Sequence, residues 1–283
     1  MIYLNGSFMP RDEARVSVMD RGFLFGDGVY EVIPVYSRRP FRLAEHLRRL
    51  QHSLDGIRLR NPHSEAQWGE LIARIIAAAP EEDQSIYLQV TRGADSKRDH
   101  AFPLRVEPTV FIMSSPLFTP PARQREEGIA TISSADYRWL RCDLKTTSLL
   151  ANCLLRQMAI DAGCVETILF RDGFLTEGAA SNIFVVNDGV LLAPPKNHLM
   201  LPGITYDVVL ELATLHGLPC QVRDIPEAEV RHADELWLTS STREVQPITL
   251  LDGKPIGDGR PGPLFARMYG WYQEFKATVM RAG

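Results

Sequence analysis

Three Asp-Gly pairs, Asp172-Gly173, Asp188-Gly189 and Asp252-Gly253, each follow a short apolar run. A two-residue hairpin turn whose twist matches its strands needs positive φ at both central positions, and Asp or Asn followed by Gly meets that need. The second half of the chain is therefore expected to fold as strands at 167–170, 174–175, 182–186 and 190–193, with another hairpin at Leu251-Asp252-Gly253-Lys254. A further strand is expected over 234–239, and one over 129–134. The N-terminus has the same grammar: Ile2-Tyr3-Leu4, the turn Asn5-Gly6, then Ser7-Phe8-Met9.

Between these strands the apolar period changes. Leu43, Leu47, Leu50 and Leu54 recur at 4, 3 and 4 residues, which predicts an amphipathic helix over 42–54. A second helix is expected over 64–79. Strands follow at 85–91 and 109–114, while 29–36 alternates so that Tyr30, Val32, Pro34 and Tyr36 share a face. Gly22, Gly26 and Gly28 mark a loop over 18–28. Pro116, Pro120 and Pro121 stiffen the chain into an extended linker, so a domain boundary is expected near residue 118. The first part, 1–118, reads as α+β, with two helices against an antiparallel sheet. In the second part, 119–283, the helix over 149–162 carries Leu150, Leu154, Met158 and Ala162 in a stripe expected to be core, and Gly163 stops it. A helix follows over 206–216, with Thr205 as its cap. A last helix over 263–277 is expected to pack through Leu264, Met268, Trp271 and Phe275.

Composition excludes several function classes. The net charge is −4, which gives no reason to expect a nucleic-acid partner or an anionic membrane. No run approaches the roughly 18–20 apolar residues of a membrane span, and the N-terminus lacks the basic and apolar regions of a signal peptide. Cys142, Cys153, Cys164 and Cys220 form no C-x-x-C pair, so neither a zinc site nor a dithiol motif is expected. Isolated thiols suit a reducing cytoplasm.

Two residues are candidates for the chemistry. Lys145 stands at the mouth of an apolar helix, and Glu177 lies in a Gly-flanked turn after a strand. A lysine that forms an imine needs a fixed, partly dry position. A pyridinium nitrogen needs a carboxylate partner. The ordinary meaning of such residues is a solvated lysine and a surface acid, so spacing alone does not decide. Arg138 and Arg141, just before Lys145, either lower its pKa by their charge or pair with Asp136 and Asp143.

Four stretches in order decide it: D-L-K-T-T-S-L-L-A-N, L-T-E-G-A-A-S-N-I-F, L-P-G-I-T-Y-D-V-V and L-T-S-S-T-R-E-V-Q-P. Together they resemble the fold-type IV pyridoxal-phosphate enzymes, namely the D-amino-acid aminotransferases, branched-chain aminotransferases and aminodeoxychorismate lyases. The resemblance covers nearly the whole chain. It implies an α+β fold of two domains: a small N-terminal α/β sandwich and a larger C-terminal domain with a β-barrel-like sheet and helices. It also implies pyridoxal 5′-phosphate bound through Lys145. Glu177 would sit at the ring nitrogen, with Arg49 of the H-x-x-R-L signature, Ile204, Thr205, Ser241 and Thr242 on the phosphate side, and Ser181 and Asn182 beside the cofactor.

Within that family, Arg92-Gly93, a short gap and Arg98-Asp99-His100 resemble the carboxylate trap of D-amino-acid aminotransferases. By that resemblance Tyr30, Arg98 and His100 bind the substrate carboxylate, the last two across a homodimer interface. The gap is one residue longer than the family's, and Lys97 is the apparent extra, able to displace Arg98 or compete with it. The implied activity is amino transfer between a D-amino acid such as D-alanine or D-glutamate and a 2-oxo acid such as 2-oxoglutarate or pyruvate. The alternatives are a branched-chain L-aminotransferase, an aminodeoxychorismate lyase and a catalytically silent binding protein of the same fold.

Overall fold

In the computed structural model, which describes residues 1–282, Asn5 and Gly6 have φ of 47° and 93° and join β1 (Ile2–Leu4) to β2 (Ser7–Met9). The three Asp-Gly turns behave alike, with φ between 50° and 81° at all six residues. The chain divides into two compact units. One comprises Met1–Leu117 with Leu144–Leu149, and the other Phe118–Asp143 with Leu150–Gly283. The short segment carrying Lys145 thus belongs to the first unit, although it lies far along the sequence from the rest of it.

In the first unit, β3 (Gly28–Tyr36), β4 (Arg39–Pro40), β5 (Gln84–Thr91) and β6 (Thr109–Pro116) complete an antiparallel sheet in the order β2-β1-β6-β5-β3-β4. Two helices cover it, α2 (Leu43–Gly56) and α3 (Glu65–Ala78), once the short α1 (Arg21–Phe25) is counted first. The α2 stripe Leu47, Leu50 and Leu54 packs with Trp68, Ile72 and Ile75 of α3 on Ile33, Ile86, Leu88 and Ile112 of the sheet. Ser64 and Gln67 form a reciprocal capping box at the start of α3. The expected loop over 18–28 instead contains α1. Asp20 caps it by accepting from the Gly22 N–H at 2.8 Å, and Gly26, at φ 65°, ends it. Gly22 is required there, since a Cβ would lie 2.3 Å from Thr91 Cγ2.

The second unit opens with α4 (Ala122–Glu126) and β7 (Ile129–Ala135). From β7 the chain crosses through α5 (Leu150–Asp161) to β8 (Glu166–Arg171), which pairs parallel to β7. Hairpins then give β9 (Phe174–Gly178), β10 (Asn182–Asn187) and β11 (Val190–Ala193). After α6 (Ile204–Leu215) come β12 (Cys220–Val222), α7 (Glu227–Arg231), β13 (Glu235–Ser240), β14 (Glu244–Leu251), β15 (Lys254–Pro255) and α8 (Pro263–Phe275). The strand order is β12-β11-β10-β13-β14-β7-β8-β9, with β15 on β14. The sheet curls like half a barrel around Ile168, Phe170, Ile183, Val185, Leu236, Leu238 and Ile248.

Two expected faces are corrected. On α5, Leu150, Leu154 and Met158 are 74%, 52% and 42% exposed, and the buried residues are Leu155 and Ala159, packed with Leu169 and Ala179. The helix has two apolar stripes, and the sheet can cover only one of them. On α8 the buried residues are Phe265, Met268 and Tyr272, about one residue round from the expected face, with Leu264, Trp271 and Phe275 half-buried beside them.

Leu50 is fully buried, whereas Leu215 on α6 is 74% exposed. Leu50→Ala is expected to cost about 2–5 kcal/mol in urea unfolding, and Leu215→Ala no more than about 0.5 kcal/mol.

Candidate functional site

Lys145 lies on a segment pinned along its length. Its N–H donates to Ser53 Oγ at 3.0 Å, and its carbonyl accepts from the Tyr30 N–H at 2.9 Å. Thr147 Oγ1 donates to the Gly26 carbonyl at 3.0 Å, and Leu144 lies so close to Gly56 that a Cβ there would stand 2.4 Å from it. The side chain is half-buried, with Nζ 4.3 Å from the centroid of the Tyr30 ring. The amine is thus fixed against an aromatic face, the position sought for an imine-forming lysine. Tyr30 in turn stacks on Tyr87 at 5.6 Å.

Behind Tyr30, on the opposite face of β3, Glu31 is fully buried. Arg49 grips it through a fork, Nε to Oε1 at 2.8 Å and Nη2 to Oε2 at 2.7 Å, and His46 Nδ1 lies 2.8 Å from Oε2. Burial acts to raise the Glu31 pKa, but the charge and hydrogen bonds of Arg49, with those of His46, outweigh it and hold the carboxyl well below the usual carboxylate range. Burial lowers the His46 pKa, so its ring is neutral and donates from Nδ1; its Nε2 is buried without a hydrogen-bond partner among the described residues. Arg49, expected on the phosphate side, is therefore held by a buried acid, Glu31. The available signal was a glutamate at a core-facing position between Val29 and Ile33.

In the same unit, Arg98 and His100 are exposed. The structure brings them together around Phe25, with the Arg98 guanidinium 4.9 Å and the His100 ring 5.3 Å from its centroid. Lys97 pairs with Asp99 at 3.1 Å instead of displacing Arg98. Arg92 has a structural role, gripping Asp27 and the carbonyls of Ile57 and Arg58 from a buried position.

In the second unit, Glu177 is 4% exposed at the end of β9. Oε1 accepts from Arg138 Nη1 at 2.6 Å, while Oε2 accepts from Asn182 Nδ2 at 3.2 Å and the Leu201 N–H at 3.1 Å. Burial pushes its pKa up to about 7, against the lowering influence of Arg138 and the Leu201 N–H. Asn182 also donates to the Leu201 carbonyl at 3.0 Å. Its Oδ1 faces Gly203 so closely that a Cβ there would lie 2.0 Å away, so this approach requires glycine. Ser181 turns elsewhere and donates to buried Glu166 at 2.9 Å. Ser241 and Thr242 occupy the half-buried turn between β13 and β14 and bond to no described residue.

Thr205 is not the helix cap. Gly203 occupies that position with ψ 137° and no side-chain hydrogen bond, which places Ile204 and Thr205 in the first turn of α6, both buried. Their N–H groups lie where a helix supplies no acceptor of its own, a place suited to an anion. Arg138 and Arg141 are both committed to acids. Arg141 pairs with Asp143 at 3.0 Å near the surface, and Arg138 is buried between Asp136 and Glu177.

These features fit pyridoxal 5′-phosphate. An uncapped, buried helix N-terminus suits its phosphate, a buried carboxylate its ring nitrogen, and a fixed amine its aldehyde. Thr239 Oγ1, on the strand position paired with Asn182, is a buried hydroxyl with no partner among the described residues.

The profile of the family Amino-transferase class IV matches residues 28–251. A D-alanine aminotransferase from Bacillus licheniformis is 40% identical over 263 residues, covering 93% of this chain and 92% of that protein. One from Listeria monocytogenes serotype 1/2a (strain 10403S) is 36% identical over 275 residues, covering 96% and 95%. The T.th. branched-chain amino acid aminotransferase with pyridoxamine 5′-phosphate superposes with a TM-score of 0.89 at 28% identity, covering 96% of this chain and 92% of that one.

Removing the Glu31 charge leaves Arg49 buried without its counter-ion. Glu31→Gln is expected to cost about 3–5 kcal/mol in urea unfolding at pH 7. The wild-type margin should shrink as pH falls through and below the ordinary carboxylate range, because the folded-state pKa of Glu31 is depressed.

Proposed function

The chain belongs to the class IV aminotransferases, and from that premise we propose how its residues divide the work of a pyridoxal-phosphate-dependent D-amino-acid transaminase. The D-alanine aminotransferases it resembles over nearly its full length support D-alanine as amino donor. D-Glutamate as a further donor and 2-oxoglutarate or pyruvate as acceptors complete the reading. The observation that carries it is the buried carboxylate of Glu177, held by Arg138, Asn182 and the Leu201 N–H; within the other unit, the amine of Lys145 fixed on the Tyr30 ring supports the same reading.

When bound, pyridoxal 5′-phosphate supplies an aldehyde that takes up amino groups and a ring that withdraws electrons from the carbon bearing them. Lys145 holds the cofactor between turnovers. Its Nζ would take the proton from the substrate α-carbon as general base and pass it to the cofactor as general acid. Glu177 would hold the ring nitrogen and favour its protonated form. Asn182 orients Glu177, and Ser181 braces the same rim through Glu166. Ile204 and Thr205 offer N–H groups and a hydroxyl to the phosphate, assisted by Ser241 and Thr242, with Arg49 held as a fixed positive charge by Glu31.

Tyr30, Arg98 and His100 bind the substrate carboxylate, the last two reaching into a second copy of the chain. Their exposure in the single chain supports that role, and the uncovered stripe Leu150, Leu154 and Met158 supports a homodimer. The cytoplasm is the proposed compartment, supported by four unpaired thiols at Cys142, Cys153, Cys164 and Cys220. Among the described residues no helix is long and apolar enough to cross a membrane.

Single half-reactions followed by the visible absorbance of the bound cofactor test the activity. D-Alanine should discharge the band and L-leucine should not; the reverse would move the chain to the branched-chain group. A charge-assisted contact contributes on the order of 1.5–3 kcal/mol. Arg98→Ala should accordingly raise KM for D-alanine roughly ten- to a hundredfold, and unchanged kinetics would remove Arg98 from the trap. Leu154→Glu should convert the dimer to monomer in sedimentation while leaving the far-ultraviolet dichroism intact.

A further inference from the structure

Glu177 is the last member of a row of alternating charges. Arg171 Nη2 lies 3.1 Å from Asp136 Oδ1 and also donates to the Arg138 carbonyl at 2.8 Å. Asp136 receives Arg138 Nε at 2.9 Å, Nη2 at 2.9 Å and backbone N–H at 3.1 Å, and Thr176 Oγ1 at 3.0 Å. Arg138 is thereby anchored through its fork, and Nη1 is the nitrogen that meets Glu177. Asp136, Arg138 and Glu177 are all buried. Such an arrangement is expensive to bury unless each member is paired, and two of its members, Asp136 and Arg171, are remote from any role assigned above.

The geometry also selects an oxygen. A carboxylate oxygen accommodates about two donors. Oε2 of Glu177 already has two, from Asn182 and Leu201, while Oε1 has one, from Arg138. The open acceptor site is therefore on the oxygen that Arg138 holds.

We propose that Arg138 is a positioning residue for the transamination, aiming Glu177 and keeping it ionised through a charge pair whose strength Asp136 sets. This rests on the reading of Glu177 as the partner of the cofactor's ring nitrogen. Asp136 absorbs much of the Arg138 charge, so what reaches Glu177 is one short hydrogen bond and a partial attraction. That accounts for burial prevailing at Glu177 while Asp136 itself is held below the usual range by Arg138 despite its own burial. The titratable and charged groups bearing on this pair are Arg138, Asp136, Arg171 and Cys142, and burial raises the Cys142 thiol to about 11, which leaves it neutral.

Opposite shifts follow from the two ends of the pair. Arg138→Met removes the attraction, so Glu177 keeps its proton to higher pH. Asp136→Asn releases the full Arg138 charge toward Glu177, so the proton leaves at lower pH. The readout is the infrared carbonyl band of protonated Glu177, assigned by its loss in Glu177→Gln. It is titrated on the full-chain protein with cofactor bound and again after its removal. The midpoint should rise by about one pH unit or more in Arg138→Met, fall in Asp136→Asn, and stay near wild type in Arg138→Lys. The acid limb of the D-alanine half-reaction should move with it, with kcat affected more than KM. Arg138→Met and Asp136→Asn midpoints equal to wild type, or these two variants moving the same way, would overturn the proposal. So would a loss of rate at every pH with no displaced limb. If Arg138→Met does not fold, Arg138→Lys and Asp136→Asn still decide it. A wild-type protein that discharges no amino donor would sink the functional reading, and the infrared titration would still decide whether Arg138 governs Glu177.

Discussion

A carboxylate buried at residue 177 constrains the second unit more than any apolar contact does. An unpaired buried charge costs several kcal/mol, so its donors must arrive together. They come from Arg138 after β7, from Asn182 at the start of β10 and from the backbone before α6. These three segments are far apart in sequence, and one side chain ties them. The glycine at 203 follows from the same constraint, since Asn182 leaves no room beside it for a Cβ. The close approach of that backbone, in turn, sets where α6 begins.

The first unit solves a similar problem with different parts. Glu31 is the one acid among the buried positions of β3, and α2 answers it with His46 and Arg49 on adjacent turns. The leucine stripe of α2 seats the helix, and its polar pair fixes the rotation about the helix axis. Tyr30, next along the strand, is thereby held on the other face as the surface against which Lys145 rests. Packing and chemistry are coupled here through strand alternation: moving the register by one residue would exchange Tyr30 and Glu31.

Other charges and apolar groups stay at the surface. Arg98 and His100 gather on Phe25, at the exposed end of their loop. On α5, the large apolar side chains Leu150, Leu154, Met158 and Ile160 face outward while Leu155 and Ala159 face the sheet. Groups left exposed in this way suit recognition rather than stability, since the core gains nothing from them. Periodicity alone does not separate the two faces of α5, because an apolar stripe is written identically whether it meets a sheet or stays exposed.

Much of the molecule was written locally. The Asp-Gly and Asn-Gly turns, the α2 leucines, the start of α3 at Ser64 and the end of α5 at Gly163 depend on interactions within a few residues, and each stands where the sequence places it. The motifs around Lys145, Glu177, Gly203 and Ser241 likewise identified the family and pointed to the residues proposed to carry its chemistry. What sequence could not decide was the fate of each charge. Arg138 could have served Lys145 or the surface, and the structure gives it to Asp136 and Glu177. Arg49 needed Glu31, Lys97 took Asp99, and the Lys145 segment joined the first unit. Turns and helix ends are set by short-range sterics and capping, which a linear sequence displays. Ion pairs between distant residues depend on distances and burial that exist only once the chain has folded.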